Sequence, residues 1–141
     1  MNVMIDTNVI LDDILSREPH RVNAGKIMEL VTGQQILGYI TANTLTDIYY
    51  LIEKHRGWRL AREAVKKILR TLQIIAVNGD DCERAIYSPM LDFEDALVVF
   101  CAAKAELDYI VTNDRGFLAD TNLLVPAINP ADFLKVLDGT Y

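Results

Sequence analysis

Apolar residues along this chain fall into short continuous runs that alternate with stretches of helical period. Val3-Met4-Ile5 is the first run and reads as a buried strand. Asp6-Thr7-Asn8 closes it with turn and cap residues. A helix is expected through Val9, Ile10 and Leu11 to about Leu15, broken by Arg17-Glu18-Pro19. From His20 to Val31 the residues Ala24, Ile27, Met28 and Val31 keep helical spacing, with Gly33 as the expected stop. Ile36 to Ile40 reads as a second strand, followed by the cap candidates Thr41 to Thr44. Leu45, Ile48, Tyr49 and Ile52 then share one helical face. Another helix is expected over Trp58 to Leu72, and Gln73 to Val77 reads as a third strand. Asp80 or Asp81 should cap a short helix to Tyr87. The stretch from Asp92 to Ala105 is apolar almost all round and should be a central helix. Tyr109 to Thr112 and Leu123 to Val125 read as the last strands, and Asn129-Pro130 opens a final helix.

Strands alternate with helices and no hairpin turn joins two strands. That order predicts an α/β fold in three α/β/α layers, with a mostly parallel sheet of about five strands. No linker or repeat interrupts it, so residues 1–141 are expected to form one domain. At 51% hydrophobic and 24% charged, the chain has the balance of a globular domain rather than a disordered one. No run approaches the roughly 20 apolar residues of a membrane span. The start, Met1-Asn2-Val3, lacks a basic and then apolar leader, so a cytoplasmic location is the default expectation. Cys82 and Cys101 have no ligand or redox spacing, and Cys101 sits in an apolar run as a small buried hydrophobe would.

The formal net charge of −6 sits badly with a nucleic-acid binder, since phosphates call for Lys and Arg. Carboxylates that hold divalent metal reverse that sign locally, so the total does not exclude RNA. In a parallel sheet, ligands gather beyond the carboxyl ends of the strands. Asp6 directly follows the first strand and Asp114 follows the fourth. Asp47 opens the helix after the second strand, and Asp92, Glu94 and Asp95 open the apolar helix. Each has a plain structural role open to it. Asp6 and Asp92 suit helix caps, Asp95 suits a first turn, Asp114 suits a turn, and Asp47 suits a solvated helix face. Together they point further. A carboxylate facing inward on the enclosed helix needs a partner. Several carboxylates close together hold protons unless a cation is present. A hard divalent ion such as Mg²⁺ or Mn²⁺ is the natural partner for oxygen ligands.

The segment Met4-Ile5-Asp6-Thr7-Asn8-Val9-Ile10-Leu11 resembles the opening of a PIN domain, the nuclease fold of VapC-type toxins. Thr44-Leu45-Thr46-Asp47-Ile48-Tyr49-Tyr50-Leu51 resembles the second acidic motif of one bacterial branch. Asp92-Phe93-Glu94-Asp95-Ala96-Leu97 resembles the third, and Tyr109-Ile110-Val111-Thr112-Asn113-Asp114 the fourth. The closing Asn129-Pro130-Ala131-Asp132-Phe133-Leu134 is similar to that branch's ending. The likeness thus covers nearly the whole chain in order. Many members carry Glu where this chain has the shorter Asp47, and Asn often replaces the fourth acid.

The resemblance implies a metal-dependent ribonuclease in which Asp6, Asp47, Asp95 and Asp114 form the catalytic and metal-binding set. Asp6 and Asp95 would hold the principal Mg²⁺ or Mn²⁺. It also implies an RNA substrate, an antitoxin protein whose tail covers the pocket, and a homodimer. Arg59, Arg62, Lys66 and Arg70 form a helical ridge that reads either as a solvated face or as a phosphate track. His20 and His55 have no catalytic setting. Two other readings compete. A PIN-like scaffold would bind RNA or protein without cutting. A phosphatase on a similar sheet would use Asp6 as nucleophile, but wants a second acid where this chain has Asn8.

Overall fold

The computed structural model describes residues 1–139; the last two positions of the expected 1–141 domain lie outside the described residues. The chain runs β1 (Asn2–Ile5), α1 (Thr7–Ile14), α2 (Arg21–Thr32), β2 (Leu37–Thr41), α3 (Ala42–Arg56), α4 (Trp58–Thr71) and β3 (Gln73–Ile75). It continues through α5 (Gly79–Tyr87), α6 (Phe93–Lys104), β4 (Tyr109–Val111), α7 (Arg115–Ala119), β5 (Ala127–Ile128) and α8 (Pro130–Leu137). The sheet is parallel throughout, with strand order β3-β2-β1-β4-β5. This is the expected α/β architecture.

Side-chain alternation along the strands divides two cores. Val3, Ile5, Ile40 and Val111 face the larger one, packed by α1, α2, α3, α4 and α8. Met4 and Ile110 face the other way, against Val98, Val99, Cys101 and Ala102 of α6. The two helix layers therefore cover both faces of the sheet. That is why these strands read as unbroken apolar runs rather than alternating ones. Among the described residues, no helix is long and apolar enough to cross a membrane. Neither cysteine is in a disulfide, and Cys101 is buried.

The order places β1 at the centre. The chain builds outward through β2 and β3, then returns to add β4 and β5 on the opposite side. The reversal falls between β1 and β4, and a crevice at that switch point is a consequence of the topology.

Three local expectations need correction. The fifth strand is Ala127–Ile128, not Leu123 to Val125. Leu124 is exposed there, and pairing starts only where the Pro126 and Ile128 carbonyls accept from Ile110 and Thr112 N–H, at 2.9 and 3.0 Å. Pro126 has no N–H for a ladder and sits just outside the edge strand. The third strand stops at Ile75, short of Val77. The cap of α5 is Asn78, which exchanges hydrogen bonds with Asp81 in a capping box. Gly33 does stop α2, as its C-cap, and the left-handed residue is the next one, Gln34, at φ 58°. Ser16 and Glu106 take the same conformation just beyond the ends of α1 and α6.

Phe133 of α8 is fully buried in the larger core and meets Tyr109 edge-on, with ring centroids 6.1 Å apart. Phe133→Ala is expected to cost about 3–5 kcal/mol of stability, since the cavity adds to the lost transfer energy. Urea unfolding checks this, and a cost below 1 kcal/mol would mean that α8 does not anchor the core.

Candidate active site

Asp6 sits where β1 ends. Its N–H continues the ladder to the Val111 carbonyl at 2.9 Å, and its extended backbone makes it the N-cap of α1. Oδ1 accepts the Thr7 N–H at 2.9 Å. Oδ2 accepts the Thr112 hydroxyl at 2.7 Å and the Asn8 side-chain amide at 3.1 Å. Thr112 is fully buried just beyond β4, so the hydroxyl–carboxylate bond ties together the ends of two adjacent strands. Asn8 also donates to Thr112 Oγ1 and accepts the Asn113 N–H at 3.0 Å. Thr7 and Asn8 thus fix Asp6 through a backbone amide and a side-chain amide respectively.

Asp114 follows at the end of β4. Its N–H donates to Thr112 Oγ1 at 3.0 Å, and its Oδ1 caps α7 through the Phe117 N–H at 3.1 Å. The turn expected at Asn113 to Gly116 is in fact the start of this short helix, held down by buried Phe117. Asp92 caps α6 by accepting the Asp95 N–H at 2.9 Å, which sets Asp95 in the first turn. Buried Ala96 to Val99 follow immediately, so α6 enters the core within one residue of Asp95.

One cleft of about 510 Å³ is lined by Asp6, Asp47, Asp95 and Asp114 together. Asp92 and Glu94 add two further acids, and Arg17 and the exposed Tyr50 complete the wall with Thr7, Asn8, Leu11 and Leu51. Capping and clustering are therefore compatible: three of the acids cap helices with one face and border the cleft as well. Arg17 and Tyr50 are the residues that sequence reasoning missed. Arg17 read only as a helix breaker, and Tyr50 only as part of a motif. The α4 ridge does not line the cleft. Lys66 pairs with Glu63 at 3.1 Å, and Arg59 lies 5.3 Å from the centroid of the Trp58 ring, as on a solvated face.

The electrostatics are unequal. Burial pushes the Asp6 carboxyl above its usual range, aided by the Asp114 charge and opposed by its hydrogen-bond donors. Asp95 is pushed up to about 7, first by burial and then by the charges of Asp92, Asp6, Asp114 and Glu94. Among the described residues, no three carboxylate, thiol or imidazole groups converge as a ready-made metal cage. The oxygen-only donor set, with Asp95 burdened by four neighbouring acids, still fits a hard cation. Such an ion needs only one or two carboxylates and keeps several waters.

The PIN domain family model matches residues 2–116, more than half of the chain and a span within which Asp6, Asp47, Asp95 and Asp114 lie. The chain belongs to the PIN domain family. Among solved structures, this PIN domain is similar to VapBC2 from Rickettsia felis bound to a promoter DNA fragment, with 20% identity, 92% of this chain and 98% of that chain covered, and TM-score 0.65. It is similar to a toxin–antitoxin complex from Klebsiella pneumoniae at 22% identity, 91% and 97% coverage and TM-score 0.65. It is also similar to Mycobacterium tuberculosis VapC20, a sarcin–ricin loop cleaving toxin, at 16% identity, 77% and 86% coverage and TM-score 0.63. At these identities the likeness establishes the fold. No curated protein matches the chain significantly.

The raised Asp95 carboxyl has a consequence for the stability of the metal-free PIN domain. An Asp titrating near 4 when unfolded and about 7 when folded binds its proton more tightly in the folded state. Its contribution is greatest at low pH and is lost as pH rises from about 4 through about 7. Asp95→Asn is therefore expected to raise the Tm in chelator at pH 8 and to flatten its fall between pH 5 and 8, by calorimetry. An unchanged pH profile would show that Asp95 is not under this strain.

Proposed function

We propose that this PIN domain, taken as one domain over residues 1–141, is a metal-dependent endoribonuclease and the toxin of a toxin–antitoxin pair. The observation that carries the reading is Asp95. Burial first, and then the charges of Asp92, Asp6, Asp114 and Glu94, push it up to about 7 in a cleft at the sheet's switch point. Perturbed groups in such a cleft are the usual mark of a functional site. Family membership supports a nuclease, and the similar toxin–antitoxin complexes support an antitoxin partner. The similarity to VapC20, a sarcin–ricin loop cleaving toxin, supports RNA as the substrate class.

Asp6 and Asp95 would hold Mg²⁺ or Mn²⁺, with Asp47 and Asp114 completing the surroundings. The cation would supply a Lewis acid that acidifies water and offsets charge on the phosphoryl oxygens. The chain's own part is positional. Thr112, Asn8 and the Thr7 N–H fix the Asp6 carboxylate in one orientation. The first turn of α6 fixes Asp95, whose raised titration leaves it partly protonated near pH 7, so that a bound cation would compete with that proton. Asp6 accepts three hydrogen bonds, which suits a ligand better than the nucleophile of a phosphatase, and Asn8 is engaged where that class needs an acid. A homodimer belongs to the same proposal and is testable by light scattering.

Two outcomes test this. RNA cleavage in Mg²⁺ or Mn²⁺ is expected to stop with chelator and to fall at least a hundredfold in Asp6→Asn/Asp95→Asn, the scale of losing fixed electrostatic stabilisation. Undiminished cleavage by the double variant contradicts the assignment. Separately, Mn²⁺ at about a hundred times its Kd should stabilise the protein by about 2.7 kcal/mol. Asp95→Asn should abolish that thermal shift; an equal shift in the variant would place the cation elsewhere.

A further inference from the structure

Among the described residues, the cleft wall carries six carboxylates and a single cation, Arg17. A phosphodiester strand entering it meets mostly repulsion, so the placement of that cation matters. Arg17 lies just beyond α1, in a turn that leaves it little freedom. Ser16 takes the left-handed conformation at φ 51° and donates to the Asp13 carbonyl at 3.2 Å. The Arg17 N–H then reaches back to the Asp12 carbonyl at 3.0 Å, completing a Schellman turn. The side chain returns to the same residue, with Nε donating to Asp12 Oδ1 at 2.9 Å. Asp12 is only 4% exposed, and its other oxygen accepts from the Asn113 side-chain amide at 3.2 Å. Nη2 donates to the Asn8 carbonyl at 3.2 Å. Arg17 is thereby tied to both loops that carry the acids: through Asn8 to Asp6, and through Asp12 and Asn113 to Asp114.

A guanidinium that served only to neutralise Asp12 would turn both ends of its fork inward. Here one Nε contact meets Asp12. Nη1 has no partner among the described residues, and the side chain is 44% exposed. The remaining donors are held in fixed geometry at the cleft wall, the arrangement that suits a phosphate oxygen pair. We propose that Arg17 binds the non-bridging phosphate oxygens of the RNA strand lying in the acid cleft. This rests on the ribonuclease reading. The buried Asp12 is its positioning residue, and together the pair turns a positive end toward the substrate without adding net charge to the cleft.

The test uses the full chain with Asp95→Asn to prevent cleavage, in Mg²⁺ buffer. A random-sequence, single-stranded oligoribonucleotide pool serves as probe, and binding is read by fluorescence anisotropy across a salt series. Arg17→Gln is expected to weaken binding about tenfold and to reduce the slope of log K against log salt by roughly 0.7, as for one lost phosphate contact. Arg17→Lys should recover part of the affinity. Arg17→Gln also strands the buried Asp12, so its Tm should fall. Adding Asp12→Asn should restore the Tm but not the RNA affinity. The proposal is overturned if affinity returns with the Tm, for then Arg17 only neutralises Asp12, or if Arg17→Gln leaves affinity and salt slope unchanged. If the Arg17-containing protein neither binds nor, with Asp95 intact, cuts RNA, the ribonuclease reading fails and Arg17 falls with it.

Discussion

The hydrogen bond from the Thr112 hydroxyl to the Asp6 carboxylate joins the ends of two parallel strands, and the site is organised around it. A carboxylate at that depth is costly unless donors meet it. Asp6 is met by Thr112, Asn8 and the Thr7 N–H. Each donor comes from the crevice that the strand order opens between β1 and β4. Topology therefore decides where an acid can be buried, and the donors decide how it points. Thr112 also accepts the Asp114 N–H, so the same hydroxyl sets the fourth acid in register with the first.

Helix capping and acid clustering share one set of residues. Asp6, Asp92 and Asp114 each satisfy backbone donors at a helix start, and the N-termini of α1 and α6 direct their dipoles toward the cleft. That offsets only part of the mutual repulsion, and burial together with what remains raises Asp95 to about 7. Asp6 and Asp95, both pushed up by burial in the cleft, are those expected to share a cation. Asp47 lines the same cleft from α3, but the charges that act on Asp95 come from α1, α6 and α7 and their caps. A methylene shorter than Glu, it borders the site rather than straining it.

The layers and the acid cleft were legible because each depends on short-range patterns: unbroken apolar strands, cap residues at their ends, and an acid ahead of an enclosed helix. What escaped the sequence depends on contacts that no period marks. Arg17 touches Asp12 across a left-handed serine, and a non-glycine in that conformation gives no signal. Nothing in the residue pattern sets Asp12 apart from its neighbour Asp13, yet its place beneath the β4 loop buries it. Leu123 to Val125 had the composition of a strand, but pairing with β4 selected the next segment, past Pro126. The basic ridge of α4 had the right charge and the wrong position. It lies outside the cleft, while the cation that lines the cleft came from a turn.

On the proposed function, Asp6 and Asp95 share one divalent cation. Anomalous diffraction from a crystal soaked in Mn²⁺ tests it directly. The prediction is a single strong peak within roughly 2.0–2.5 Å of a carboxylate oxygen of each residue, the range of hard-cation oxygen bonds. A peak bound to neither, or none in the cleft under saturating Mn²⁺, would contradict it.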